Sequence, residues 1–348
     1  MRVYTRQHAF TCGIDLHART MYVCVLDATG EVVLHTEVPS TPAAFLEAIA
    51  PYRADLIVGV ECTLSWYWLA DLCAAQDIPF ALGHALYMRL IHGAKAKSDK
   101  LDSLKIARLL RGGNFPLAYN YPAHMRATRD LLRRRTHLVR MRAELLAHIQ
   151  NLHYQYNRVS PGKKIYYAAN RVGLTNGFSD PGASRSIDVD VELIDHLDQV
   201  INELELDLTR RARVDDPQAF ARLKTIPGVG PILAMTILYE VHDIARFPRV
   251  QDFVSYARLV KCQHESGGKR LGSGGAKIGN SNLKWAFSEA AVHFIAKCPD
   301  GKRLRARYER KHGKAKAISI LAARLGRAVY YMLSRKQAFD QTRFLATA

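Results

Sequence analysis

Two apolar stretches that end in acidic residues, Phe10-Thr-Cys-Gly-Ile-Asp15 and Leu56-Ile-Val-Gly-Val-Glu61, determine the fold of the amino-terminal region. Each stretch is rich in β-forming residues and has the length of a buried strand. A carboxylate inside such a strand is costly unless it is paired or binds a cation. Because ligand sites in α/β sheets gather at strand ends, Asp15 and Glu61 are predicted to mark such a site.

The sequence around these two stretches predicts a mixed sheet. Further strands are predicted at residues 21–26, 31–38 and 78–82, and helices begin at Pro42 and at Trp66. A hairpin and a third strand therefore come first, and alternating strands and helices follow. This order is typical of a mixed-sheet α/β domain, which we assign to residues 1–120.

Two more carboxylates follow in Lys97-Ser-Asp99-Lys-Leu-Asp102-Ser-Leu. They lie three residues apart in a predicted helix, so both face the same direction. Mg²⁺ prefers hard oxygen ligands, and the four carboxylates together predict a Mg²⁺ site. The alternative gives each a local role: Asp15 begins a turn, Glu61 caps the next helix, and the other two interact with a helix dipole.

The middle of the chain, residues 121–215, has the leucine repeat of a coiled coil. Leucines recur at sevenfold spacing over 126–157, on a helix whose other face is basic and includes Arg133 and Arg134. A second heptad stretch over 187–213 is acidic. The opposite charges predict that the two helices pair, within one chain or between two, and we expect them to join protomers. Residues 158–186 are predicted to be a long basic link without regular structure.

The last region, residues 216–348, is predicted to be mainly helical. Ile226-Pro-Gly228-Val-Gly230 lies between two apolar helices, where glycines let backbone N–H groups converge on a phosphate, as in a helix-hairpin-helix motif. A plain interhelical turn is the equal alternative. Basic residues crowd at 297–316, and among these we expect Arg303 and Arg307 to contact phosphates.

A glycine-rich basic loop contains Glu265-Ser266-Gly267-Gly268-Lys269-Arg270. The glycines would let a scissile phosphate approach the Ser266 hydroxyl, which needs positioning and activation to act as a nucleophile. Lys269, Arg270 and Lys277 could stabilise the charge of the transition state. Ser273 and Ser281 lie in similar surroundings, so the residues alone leave the choice of serine open. A flexible phosphate-contacting loop is the simpler reading.

The composition indicates a polyanionic partner. Lys and Arg number 50 against 32 Asp and Glu, which gives a formal net charge of +18. Cations of this density favour nucleic acid, because each neutralised phosphate releases counterions. None of the six cysteines has C-x-x-C spacing, which disfavours a zinc site. The sequence shows no signal peptide and no membrane span, so we expect a cytoplasmic protein with free thiols.

Four acidic positions resemble the D-E-D-D tetrad of bacterial insertion-sequence transposases with a RuvC-like (RNase H-type) amino-terminal domain: Asp15, Glu61, Asp99 and Asp102. Residues 98–107 are similar to that family's D-x-x-D-A-x-x-L-A helix, with Ser103 in place of the usual Ala. Downstream, residues 226–230, 253–259 and 265–267 resemble signatures of the same family's carboxy-terminal domain. The resemblance covers nearly the whole chain, but residues 257–261, Ala-Arg-Leu-Val-Lys, replace the usual Ala-Gly-Leu-x-Pro.

The resemblance implies an RNA-guided DNA recombinase. The tetrad would bind Mg²⁺, and Ser266, as the serine of the E-S-G motif, would form a phosphoserine link to DNA. A structured bridge RNA would pair with target and donor DNA. Dimers and tetramers would form through the coiled coil, with active sites composed from different protomers. The alternatives are a junction-resolving nuclease that uses water as its nucleophile, and a non-catalytic nucleic-acid-binding protein.

Overall fold

The computed structural model describes residues 2–91, 98–261, 264–272 and 278–346. The chain divides into two units, Met1–Ala123 and His124–Ala348. The first unit is built around a mixed sheet and the second is mainly helical, which confirms the predicted order of fold classes. Within the described ranges, no helix is both long and apolar enough to cross a membrane.

The first unit contains the predicted strands and helices. Its strands are β1 (Val3–Tyr4), β2 (Phe10–Leu16), β3 (Thr20–Asp27), β4 (Val32–Pro39), β5 (Leu56–Glu61), β6 (Phe80–Gly83) and β7 (Phe115–Pro116). Its helices are α1 (Pro42–Ile49), α2 (Trp66–Ala75), α3 (Ala85–Ile91) and α4 (Asp99–Arg111). Thr41 caps α1 through its side chain, and Pro42 occupies the first turn, as the sequence predicts.

Five strands form the main sheet in the order β4-β3-β2-β5-β6. The first three neighbours are antiparallel, whereas β2, β5 and β6 run parallel. Helices cover both faces, because the central strands are apolar on both sides. The apolar side chains of α1 and α2 pack on one face, and those of α4 pack on the other.

The second unit begins with two long helices, α5 (Ala123–Gln155, whose first residue ends the first unit) and α6 (Pro181–Asp215). Its other elements are the helices α7 (Pro217–Leu223), α8 (Pro231–Val241), α9 (Val250–Tyr256), α10 (Ser281–Lys297), α11 (Pro299–His312), α12 (Lys314–Arg335) and α13 (Gln341–Ala346), and the strands β8 (His264–Ser266) and β9 (Lys269–Gly272). Apolar side chains of α7 to α12 form one core that also includes Met125 and Leu132 of α5.

The two long helices pair with each other in antiparallel orientation within the chain. Leu138 of α5 packs with Leu197 and Ile201 of α6. Ion pairs link the basic helix to the acidic one, with Arg135 bound to Glu205 at 2.5 Å; Arg142 to Asp198 and His148 to Asp190 complete the set. Of the two arrangements that the sequence left open, the structure therefore contains the intrachain one. That the pair also joins protomers stays a prediction.

The link between the long helices has more structure than the sequence predicted. Residues 163–166 and 168–170 form 3₁₀ turns. Arg171 is buried and binds Asp198 of α6 at 2.7 Å as well as two carbonyls of the link. Residues 181–186, predicted as link, belong to α6, because the Asp180 side chain caps the helix and Pro181 suits its first turn. The prediction of a structureless segment over 158–186 was therefore wrong.

Candidate active site

Asp15 and Glu61 are neighbours at one edge of the sheet. The parallel register of β2 and β5 pairs Ile14 with Val60, so the next residue of each strand is one of the two carboxylates. Asp15 is the penultimate residue of β2, and Glu61 is the last residue of β5. Both side chains are half-buried. The predicted meeting of two carboxylates at strand ends is thus observed.

Helix α4, which packs on the sheet, carries the other two carboxylates. The Ser98 hydroxyl caps α4 by accepting a hydrogen bond from the Leu101 N–H, and Asp99 and Asp102 occupy the first turn. The helix lies very close to the sheet: a Cβ atom on Gly13 would stand 2.2 Å from the Ser103 carbonyl oxygen and 2.3 Å from the Ala107 nitrogen. The absence of a side chain at Gly13 therefore sets the height of α4 above the strands.

The carboxylates interact electrostatically. Burial raises the pKa of Asp15; His17 opposes the rise, whereas the charges of Asp99, Asp102 and Glu61 add to it. The Asp102 carboxylate also accepts a hydrogen bond from Lys105 Nζ at 2.9 Å. A raised pKa means that ionisation of Asp15 is less favourable than in water. A bound divalent cation would offset the repulsion among the carboxylates.

His17 belongs to this cluster, although no functional role was predicted for it. Its Nε2 atom lies 3.6 Å from Asp15 Oδ2 and 3.5 Å from Asp99 Oδ2. One possible ligand atom from each of these three residues lies within 4.8 Å of the others. The only sequence signal is its position two residues after Asp15, just beyond the strand, which is common for surface histidines.

In the second unit, Ser266 ends strand β8 and is exposed. The predicted loop is a β-hairpin here: Ser266 pairs with Lys269, and Gly267 and Gly268 form the turn with φ of 57° and 73°. Two successive positive φ angles are typical of a type I′ turn, which glycine adopts without strain. Among the described atoms, none lies within 4 Å of the place where a Cβ on either glycine would stand.

The other residues predicted around this serine differ in what the structure describes. Arg270 lies in β9, whereas Lys277 and Ser273 fall outside the described residues. Ser281 is the first residue of α10, directly after the Asn280 cap, so it sits on a helix and not on a hairpin.

Arg258 closes the base of the segment that carries the hairpin. It follows α9 with φ of 56°, a left-handed conformation in which glycine is usual. Its Nε donates to the carbonyl oxygens of Ile278 at 3.1 Å and Gly279 at 2.9 Å. The N–H of Asn280 donates to the Tyr256 carbonyl at 2.6 Å. Hydrogen bonds therefore join residues 256–258 to residues 278–280, at the two ends of the segment that carries the hairpin.

Glu240 lies next to Asn280 and was not predicted from the sequence. It is buried in α8, and Asn280 Nδ2 and Asn282 Nδ2 donate to its carboxylate at 2.7 and 2.9 Å. Arg129 Nε and Arg133 Nε donate to it at 3.0 and 2.8 Å. Burial alone would raise the pKa of Glu240, but the hydrogen bond from Arg133 and the charges of both arginines lower it to about 2.

This shell of donors around Glu240 (Arg129, Arg133, Asn280 and Asn282) changes the interpretation of the basic face of α5. Arg133, predicted to contact nucleic acid, has its guanidinium committed to Glu240 because it makes two hydrogen bonds to that carboxylate. The next residue, Arg134, is exposed, and so are Arg303 and Arg307 on α11. Arg303 is also 3.2 Å from Asp300. The three exposed residues remain candidates for phosphate contact.

The glycines of the predicted helix-hairpin-helix turn have different roles. The turn joins α7 to α8, and Gly228 has φ of 86°. A Cβ on Gly228 would stand 2.6 Å from the backbone carbon of His293, so packing against α10 is enough to require glycine there. Gly230 caps α8, and its surroundings are open. Of the two, Gly230 is the one left accessible to a phosphate.

Comparison with known proteins finds related family models in both units. A family model described as "Transposase", of the DEDD class in the IS110 group, matches residues 12–157. A second, "Transposase IS116/IS110/IS902 family", matches residues 220–309. Together they cover about two thirds of the chain.

Individual relatives agree with the family models. The chain is 24% identical over 340 residues to "Transposase for insertion sequence element IS1111A" of Coxiella burnetii, covering 94% of this chain and 90% of that protein. It is 22% identical to "Probable family 20 transposase" of Pseudomonas aeruginosa, over 94% and 97% of the two chains. It is 31% identical over 28% of each chain to "Transposase for insertion sequence element IS1328" of Yersinia enterocolitica. The chain belongs to the IS110/IS116 family of insertion-sequence transposases, enzymes that cut and rejoin DNA.

Proposed function

We propose that this transposase is an RNA-guided DNA recombinase that uses a Mg²⁺ site in its first unit and forms a phosphoserine link to DNA through Ser266. The observation that carries the proposal is the acidic cluster. Two strand ends and one helix face supply its carboxylates; burial raises the pKa of Asp15, and the charges of Asp99, Asp102 and Glu61 add to that rise. Lys105 and His17 compensate part of the charge of this group, and its carboxylate oxygens have the composition of a cation site.

The residues of the cluster fit a divalent metal ion. Asp15 and Asp99, whose ligand atoms lie with that of His17 within 4.8 Å of one another, would supply hard oxygen ligands; Glu61 and Asp102 lie outside that group and are proposed as further ligands. When bound, Mg²⁺ polarises phosphoryl oxygens and offsets developing charge. The chain's own contribution is to orient the ligands: Lys105 holds the Asp102 carboxylate, and the cap at Ser98 holds the first turn of α4.

A RuvC-like, RNase H-type fold for the first unit is part of the proposal. The strand order supports it, because an antiparallel three-stranded meander is extended by two parallel strands. Asp15 lies near the end of β2, Glu61 ends the parallel strand β5, and α4 carries Asp99 and Asp102 in its first turn, which supports their proposed role as the metal ligands of such a fold.

In the proposed reaction, the Ser266 oxygen bonds to a DNA phosphorus while the bond from that phosphorus to the 3′ oxygen breaks. The 3′ oxygen leaves as a hydroxyl, taking up a proton as the serine loses one to solvent. Attack by the 3′ hydroxyl of another strand then restores a phosphodiester and frees the serine. The bond energy is conserved, so rejoining needs no ATP. The exposed serine, the open glycine turn and the adjacent Lys269 support this role.

Guidance by a structured bridge RNA, and assembly into dimers and tetramers, are proposed from the family resemblance. The net charge of +18 suits the simultaneous binding of RNA with target and donor DNA. The helical pair of α5 and α6 is the proposed oligomerisation element. Sequencing the RNA that co-purifies with the protein tests the first point. Equal affinity for any duplex DNA, with and without that RNA, would contradict it.

The decisive experiment is a denaturing gel after incubation with DNA, guide RNA and Mg²⁺. Wild-type protein should give a protein–DNA adduct that Ser266→Ala lacks, whereas Ser281→Ala, a serine on a neighbouring helix, should retain it. Asp102→Asn should abolish cleavage while RNA binding survives. Cleavage without an adduct in any variant would identify a water-using nuclease. Absence of cleavage at every Mg²⁺ concentration would leave a nucleic-acid-binding protein.

A further inference from the structure

We infer that a cleft near the carboxyl end of the chain binds an unpaired nucleotide of a single-stranded nucleic acid. The cleft lies between the last turns of α12 and helix α13, and its volume is about 500 Å³. Small-ligand sites have volumes of this order. None of its lining residues belongs to the acidic cluster or to the hairpin of Ser266. The inference therefore does not depend on the proposed catalytic chemistry.

Aromatic rings form much of the lining. Tyr331 is 42% exposed, and Phe339 and the buried Phe344 also line the cleft. The Arg335 guanidinium lies 4.7 Å from the centre of the Tyr331 ring, and the Arg324 guanidinium lies 4.8 Å from that of Phe344. Planar aromatic and guanidinium groups are the surfaces on which nucleobases stack in single-strand-binding proteins.

The charge of the cleft is strongly positive. Arg327, Tyr331 and Arg335 are spaced by four residues on α12, so they follow one another along one side of the helix at steps of about 6 Å. Neither of these two arginines forms an ion pair with a carboxylate in the described part of the chain. Arg324 and Arg343 add two more guanidinium groups to the lining.

One carboxylate also lines the cleft, and its position does not cancel this charge. Asp340 accepts a hydrogen bond from the Arg343 N–H at 2.8 Å, so its carboxylate caps the start of α13. Four arginines against one aspartate leave a net attraction for phosphate. In the inferred complex, Arg327 and Arg335 contact phosphates and a base stacks on the Tyr331 ring between them. All three residues on this side of α12 then contact the strand.

The size and the rings favour a single strand over a duplex. A cleft of about 500 Å³ holds one base with its phosphate, whereas a double helix hides the faces of its bases from side chains. Duplex DNA would therefore contact only the rim arginines. The distinguishing contact is the stack on Tyr331, and it can be removed without changing the charge.

The test compares Tyr331→Ala with Tyr331→Phe, which keeps the ring. Fluorescence anisotropy of the full-length protein would measure affinity for a 12-nucleotide oligo-dT, for oligo-U of the same length, and for a 12-base-pair duplex. Tyr331→Ala should weaken binding of the single strands by at least about fivefold, because a base–aromatic stack contributes that much. Tyr331→Phe should bind as wild type, and duplex affinity should stay constant in both.

A charge variant gives a second, independent arm. Arg327→Gln should lower the salt dependence of single-strand binding by about one unit of slope. The control is Arg185→Gln, an exposed arginine of α6 that already pairs with Glu192 at 3.1 Å. It removes the same charge and should change single-strand and duplex binding equally or not at all.

The inference is overturned if Tyr331→Ala binds the single strands as wild type does, or loses single-strand and duplex affinity by the same factor. It is also overturned if thymidine 5′-monophosphate displaces oligo-dT when both are present at the same molar concentration of nucleotide. The ligand would then be a free nucleotide. Thermal unfolding of each variant serves as the fold control.

Discussion

The two units handle buried negative charge in opposite ways. In the first, Asp15 shares its surroundings with three other carboxylates, and its pKa is raised. In the second, Glu240 is more deeply buried, yet its pKa falls to about 2 because arginines and asparagines donate to it. Charge that the fold has neutralised itself is structural. The carboxylates around Asp15 are only partly compensated, by Lys105 at Asp102 and by His17 at Asp15 and Asp99, which supports the proposed cation site.

The largest expected effect is the loss of the Glu240 carboxylate. Glu240→Gln should lower the free energy of unfolding by about 4 kcal/mol, because it leaves Arg129 and Arg133 without their buried counter-ion. Urea denaturation measures the change. The matched control is Glu289→Gln on α10, whose half-exposed carboxylate is 4.0 Å from His293; it should cost less than about 0.5 kcal/mol. Equal costs in the two variants would remove the distinction drawn here.

The pH dependence of stability should have opposite signs at the two sites. The folded pKa of Glu240 is depressed from 4.5 to about 2, so its contribution is complete above pH 4.5 and is lost as the pH falls toward 2. That contribution is about 3 kcal/mol. The folded pKa of Asp15 is raised, so its contribution is present at low pH and is lost as the pH rises through the folded pKa.

Denaturant unfolding across pH 2 to 7 tests both signs. Glu240→Gln should flatten the rise in stability between pH 2 and 4.5, and Asp15→Asn should be more stable than wild type at neutral pH without metal. An unchanged pH profile in Glu240→Gln would mean that its carboxylate is not held ionised by the shell.

Divalent metal should stabilise one unit and leave the other unchanged. At free Mg²⁺ about a hundredfold above the dissociation constant, the first unit should gain about 2.7 kcal/mol. The unfolding midpoint, measured with Mg²⁺ and again with a chelator, reports this gain. Asp15→Asn and Asp102→Asn should abolish it, whereas the exposed carboxylate variant Glu31→Gln should respond as wild type. A full response in Asp102→Asn would remove that residue from the site.

The smallest effect concerns Arg258, which holds residues 278 and 279 through two hydrogen bonds. Arg258→Gly relieves a left-handed backbone but loses two hydrogen bonds to Ile278 and Gly279, so stability should change by less than about 1 kcal/mol. Amide hydrogen exchange in 264–272 should nevertheless become faster, while the amides of α10 keep their protection. Unchanged exchange in the hairpin would show that it is held by other contacts.

The sequence predicted the first unit well, because its signals are local. Apolar runs define β2 and β5, a serine cap and paired acids define α4, and strand order places Asp15 beside Glu61. The cluster follows from those elements without any long-range guess. The place of His17 in the cluster was not predicted, because a single histidine after a strand has no distinctive pattern.

The second unit was harder because its decisive contacts join distant residues. Glu240 is one acid in an apolar helix, and its partners lie about forty residues downstream and more than a hundred upstream in the chain. Arg133 was therefore interpreted by composition as a phosphate contact. The link after α5 was predicted to lack structure because nothing in its polar sequence distinguishes Arg171, whose carboxylate partners belong to α6.

Gly13 carries no chemistry, yet the acidic cluster depends on it. The nearest atoms to its absent side chain are backbone atoms of α4, which no change of rotamer can move aside. A genetic screen for loss of transposition should therefore recover Gly13 substitutions that keep all four carboxylates. Such alleles would differ from carboxylate alleles in protein level: cells would accumulate the Asp102→Asn protein normally but degrade the Gly13→Val protein, whose helix cannot dock on the sheet.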